Sequence, residues 1–277
     1  MKKALLFPTM ILLCISIWLI YKIYDYYACP HIQIPYHISN KHQDDTLRIA
    51  YIGDSWAYMH REHECQISKL LEKELLQPVI VHSYGVCGFT SKKIHETLSN
   101  HSEFKQFLQN NEYDYCYISA GINDTYKKMS IRYYKQSMDG IIQLLLFNNI
   151  HPIIQEIPDY DIQLSFERQE ISRKFLRRLS MIINNIPLDC KQVFRDALDE
   201  MIHEKNYADK VSILRYKSWN GNGVKDLNTL YRSDRMHLND KGYATLDSAI
   251  AKEIITHFKL VRRFQLFRQE EEKEVIE

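Results

Sequence analysis

Short apolar runs recur along this chain at Leu47–Ile52, Val79–Tyr84, Tyr113–Ser119, Pro152–Ile157 and Val211–Tyr216, each of a length suited to a buried strand. Between them the apolar residues adopt helical spacing, over Gln66–Leu76, Ser91–Leu108, Tyr133–Asn149, Phe166–Asn185 and Ala244–Phe258. In the first of these Ile67, Leu70, Leu71, Leu75 and Leu76 mark one apolar face. Strands alternating with helices predict an α/β domain whose parallel sheet is covered on both sides. The stretch from Pro187 to Arg232 is the least regular, and Asn220-Gly221-Asn222-Gly223 within it is a turn.

The N-terminus follows another pattern. Ala4 to Tyr21 is uncharged and about 18 residues long, just enough to cross a bilayer as a helix. Lys2 and Lys3 ahead of it favour a cytoplasmic N-terminus and an exported remainder. A cleaved signal peptide is the rival reading, but no small-residue cleavage site follows the run. The expected organisation is an anchor or uncleaved signal over 1–25, a polar tether over 26–45, the folded domain over 46–260 and a charged tail over 261–277. The catalytic domain is then expected outside the cytoplasm.

Composition narrows the function. A formal net charge of +1 leaves no basic field for nucleic acid. With 8 glycines and 7 prolines, long flexible linkers and low-complexity segments are excluded. The six cysteines form no C-x-x-C pair, which argues against a zinc ribbon or a dithiol centre. Cys87 and Cys116 fall in or beside predicted strands, where a free cysteine behaves as a small buried apolar residue.

Four segments can carry chemistry at one sheet edge. Gly53-Asp54-Ser55-Trp56 ends the first strand and holds a serine in a tight turn. Ser83-Tyr84-Gly85-Val86-Cys87-Gly88 follows the second strand, where glycine lets a backbone N–H approach a ligand. Gly121-Ile122-Asn123-Asp124 follows the third and offers a side-chain amide. Asp234-Arg235-Met236-His237-Leu238-Asn239 places aspartate and histidine three apart, so the carboxylate can orient the ring while its other nitrogen takes a proton from serine. Each is weak alone, since turns and helix caps use the same residues. The order Ser…Asp…His is that of α/β enzymes with a strand-borne nucleophile.

Together the four blocks resemble the SGNH/GDSL hydrolase family over most of residues 46–258. The resemblance implies a three-layer α/β/α sandwich, flavodoxin-like, with about five parallel strands. It implies Ser55 as nucleophile, Asp234 and His237 as its partners, and an oxyanion hole from Ser55, Gly88 and Asn123, with Gly85 the less favoured glycine. No cofactor or metal is implied. Trp56 departs from the family's usual Leu or Ile and is expected to shape the pocket. The expected activity is removal of an acyl group, acetyl above all, from a carbohydrate or other envelope ester. An O-acyltransferase using the same acyl-serine and a catalytically silent glycan-binding domain are the alternatives.

Remaining features favour plainer readings. His60 and His63 lack the spacing and companions of a metal site and read as solvated helix residues, with His60 at the cleft rim. Trp219 reads as a surface loop anchor. Arg262, Arg263 and Arg268 with Phe264 and Phe267 read as a solvated helix end.

Overall fold

A computed structural model of the chain describes residues 2–27, 36–38, 42–100 and 103–274. Five strands, β1 (Leu47–Gly53), β2 (Val79–Gly85), β3 (Tyr115–Ser119), β4 (His151–Gln155) and β5 (Ser212–Leu214), pair in parallel in the order β2-β1-β3-β4-β5. All five coincide with the expected apolar runs, within a few residues. The register aligns Gly53 with Gly85 on one side and with Ser119 on the other, so three strands end at one level.

The helices are α1 (Lys2–Tyr27), α2 (Ser55–His60), α3 (Glu64–Leu75), α4 (Ser91–Ser99), α5 (Glu103–Gln109), α6 (Ile122–Lys127) and α7 (Ile131–Phe147). They continue with α8 (Ile162–Glu167), α9 (Ile171–Asn184), α10 (Lys191–Glu204), α11 (Val224–Thr229) and α12 (Asp240–Glu274). Right-handed crossovers fix their sides. The chain moves one way from β1 to β2 and the other way afterwards. This sets α3, packed on α12, against one face and α4, α7 and α10 against the other. The result is a three-layer α/β sandwich. Its core is nearly continuous, from Ile49, Tyr51 and Ile52 through Tyr117 and Ile118 to Ile153 and Ile154.

Several expectations need correction. The single helix expected over 91–108 is two, since α4 is capped and ended at Asn100. Residues 166–185 likewise divide, because Glu170 takes an extended conformation and restarts the chain as α9. The stretch judged least regular contains α10, whose Phe194, Ala197, Leu198, Met201 and Ile202 are buried at helical spacing. The last helix runs on to Glu274.

The transmembrane segment expected over residues 4–21 is not supported, because among the described residues no helix is long and apolar enough to cross a membrane. Much of the expected tether, with Cys29, lies outside the described residues. Ile38 within it is buried, its N–H donated to Asn148 Oδ1 at 2.6 Å.

Candidate active site

The direction of strand addition reverses at β1 and β3, the position in an open parallel sheet where a crevice forms beyond the strand ends. Ser55 leaves β1 there as the first residue of α2, and Asn123 leaves β3 in the first turn of α6. Asp54 caps α2, its Oδ1 accepting from Trp56 N–H at 3.0 Å, so the serine sits at the positive end of the helix.

The last expected block arrives from the far end of the chain. Ser55 Oγ lies 3.0 Å from His237 Nε2, and His237 Nδ1 lies 2.7 Å from Asp234 Oδ2. The other Asp234 oxygen accepts the backbone N–H groups of Met236 and His237 at 2.9 and 3.0 Å. Burial pushes this carboxyl up, but the His237 and Met236 N–H groups and the His237 ring outweigh it and hold it below the usual range. An ionised Asp234 selects the tautomer with hydrogen on Nδ1 and leaves Nε2 as acceptor toward the serine. To make this tight loop, Arg235 takes a left-handed conformation, φ +53°.

Asn123 and Gly88 complete the edge. Asn123 Nδ2 donates one N–H to Asp54 Oδ2 at 3.1 Å, which leaves the second for a ligand. Gly88 has φ +79°, and nothing stands within 4 Å of where a Cβ would be. At Gly85 a Cβ would meet the backbone of Tyr58 and Asp54 at 2.3 and 2.4 Å. Gly85 therefore serves close packing of β2 on α2, while Gly88 serves an open turn. Lys127 Nζ grips the Gly88 carbonyl at 2.6 Å.

Burial pushes the Asp54 carboxyl up to about 6, against the Trp56 N–H, the Ser119 hydroxyl and His237, which lower it. Asp124 is likewise raised to about 6 by burial, opposed by Ser91, whose N–H and Oγ donate to it at 2.8 and 2.6 Å. This pair ties α6 to α4.

Four residues behave differently from expectation. Trp56 does not line the cleft. It is wholly buried, its indole N–H donated to Met236 O at 3.2 Å, and so it braces the loop that carries His237. Trp219 is buried against Trp56, with ring centroids 5.9 Å apart, and is not a surface anchor. His60 is not solvated: its ring lies 2.7 Å from Ser83 Oγ and 2.8 Å from Asp247 Oδ1, entirely out of water. Cys116 is buried as expected, but Cys87 is exposed. Asp54, Trp56 and the His60–Asp247 pair are thus parts of the site's frame that sequence reasoning missed. No local pattern distinguishes them from ordinary turn and helix residues.

Sequence comparison is silent: no family model matches this chain, and no curated protein does. Solved structures do match. An acetyl xylan esterase superposes with a TM-score of 0.52 at 14% identity over 76% of this chain and 99% of that one. A lipase from a goat rumen metagenome gives 0.51 at 11% identity, over 75% and 97%. A protein of Slackia heliotrinireducens assigned to the SGNH hydrolases gives 0.50 at 13%, over 76% and 99%. The fold is that of the SGNH/GDSL hydrolases. In this SGNH fold, Ser55, Asn123 and the Asp234–His237 loop gather where the sheet reverses, although 182 residues separate Ser55 from His237.

Proposed function

We propose that this chain is a serine ester hydrolase, with Ser55 the nucleophile, His237 its proton acceptor and Asp234 the orienting carboxylate. The observation that carries the reading is the unbroken hydrogen-bond chain from Ser55 Oγ through His237 to Asp234, at 3.0 and 2.7 Å. With Nδ1–H donated to Asp234, Nε2 takes the serine proton as Oγ attacks an ester carbonyl. The oxyanion that forms is met by the backbone N–H groups of Ser55 and Gly88 and by the second amide N–H of Asn123. Each such donor is worth about 2.7–4 kcal/mol of barrier. His237 then protonates the departing alcohol, and a water deprotonated by the same ring releases the acyl group from Ser55.

The substrate we propose is an acylated carbohydrate, acetylated above all; the shared fold with an acetyl xylan esterase supports this choice. The exposed apolar residues of α1 support a domain held at a membrane surface.

The full chain in mild detergent should hydrolyse p-nitrophenyl acetate and release acetate from acetylated oligosaccharides. Ser55→Ala should lower kcat by about 10⁶-fold, to the residual that the oxyanion donors alone supply. Turnover surviving that substitution would remove Ser55 from the mechanism.

A further inference from the structure

Helix α9 is inside out for a water-facing helix. At ~100° per residue, Ile171, Phe175, Leu176, Leu179, Ile182 and Ile183 fall on one half. Arg173, Lys174, Arg177 and Arg178 fall on the other, and the helix contains no acidic residue. Surface helices bury the apolar half, as α7 does with Tyr134, Met138, Ile141 and Leu145. In α9 the buried residue is Arg177, its guanidinium 4.3 Å from the ring centre of Tyr126 and 5.1 Å from that of Phe166. Ile171, Phe175 and Ile182 are 86%, 65% and 77% exposed.

A second feature continues this surface. Between α9 and α1 runs an apolar groove of about 360 Å³, walled by Trp18, Leu19, Leu176 and Ile183 and rimmed by Lys22 and Arg173. On α1 itself Met10, Leu12, Leu13, Ile17 and Ile20 are exposed. Tyr126 and Lys127 also line the groove, and Lys127 holds the Gly88 carbonyl, so this face adjoins the active-site loop.

We infer that α9 is an interfacial helix that seats the domain on an anionic lipid bilayer. Its apolar half enters the boundary between headgroups and acyl chains, while Arg173, Lys174 and Arg178 reach along their stems to lipid phosphates. The occupant follows from charge and breadth. A two-fold contact between copies would set an all-basic helix against its twin, which like-charge repulsion opposes. An anionic surface instead strengthens attachment about fivefold for each basic residue near it. This inference does not depend on the catalytic reading.

The test uses the full chain with vesicles of phosphatidylcholine alone or mixed with phosphatidylglycerol, the acyl chains brominated to quench indole. Phe175→Trp adds a reporter to the exposed half of α9, and Glu74→Trp, on the exposed side of α3, is the control. The added fluorescence at 175 should be quenched, more strongly with phosphatidylglycerol, and that at 74 should not. In the unsubstituted chain, amide exchange over residues 171–184 should slow when anionic vesicles are added. Equal quenching at 175 and 74, unchanged exchange, or indifference to lipid charge would overturn the proposal. So would slowed exchange without vesicles accompanied by a doubled mass, which would assign the face to a second copy.

Discussion

Asp54 shows how one buried carboxylate organises several neighbours. It caps α2, accepts from Ser119 Oγ at 3.3 Å and aims the Asn123 amide. Its raised pKa means that burying the ionised form costs stability at neutral pH. That cost disappears as pH falls through about 6 toward the unfolded value near 4, because the folded state takes up the proton first. Relative to the parent, Asp54→Asn should therefore improve in urea unfolding between about pH 4.5 and pH 7. The size should be on the order of 1–3 kcal/mol. The same variant should lower kcat about tenfold or more, since an amide has one accepting oxygen where the carboxylate uses two, one for the Trp56 N–H and one for Asn123. Trp56 acts on the opposite partner. Trp56→Phe deletes the indole N–H that holds Met236 O, so the His237 loop should loosen. We expect kcat for p-nitrophenyl acetate to fall about tenfold with KM little changed, and stability to fall by about 1–3 kcal/mol.

At the scale of elements, α2 is the part that most needs explanation. It has 6 residues, too few to persist alone, yet it carries the nucleophile. It persists because both ends are fixed: Asp54 caps the first turn, and His60 in the last joins Ser83 on β2 to Asp247 on α12. Burial raises the Asp247 carboxyl, opposed mainly by its bond to His60. His60→Leu would leave that carboxylate buried without its partner. Chemical denaturation should register a loss of about 3 kcal/mol or more, and a substantially smaller one for His60→Leu combined with Asp247→Leu. Helices and strands of the sandwich were largely legible in the chain, because burial of one face gives a helix a 3.6-residue period and burial of both faces makes a strand a short apolar run. The helix breaks at Asn100 and Glu170 were not, since apolar spacing runs across both. The short helices α2, α6 and α8 bury too few apolar residues to set up a period.

For the whole molecule, the titrating groups divide between the sheet's two ends. Opposite the candidate site, His151 at the start of β4 stacks on His257 of α12 at 3.6 Å. Burial first, then the neighbouring His257, push His151 down to about 3. The sign here opposes that of Asp54: a depressed histidine contributes stability above about 6.5, and this is lost as pH falls toward 3. His151→Gln should flatten the acid limb of a thermal-stability profile between pH 6 and 4. Unfolding followed by circular dichroism will check this, an unchanged limb counting against the assignment.

The chain by itself determined the period of its elements, the parallel α/β class and the residue types of the candidate site. Apolar spacing, turn glycines and the short-range Asp234–His237 pairing are local properties that any window of sequence carries. Only the tertiary structure decided what those residues meet. The 3.0 Å approach of Ser55 to His237 and the burial of Trp56 and His60 depend on strand order and on where α12 lands. So does the outward apolar half of α9, whose amphipathic pattern would fit a core helix equally well. Periodicity states that a face is apolar, and only packing states which side of the molecule it covers.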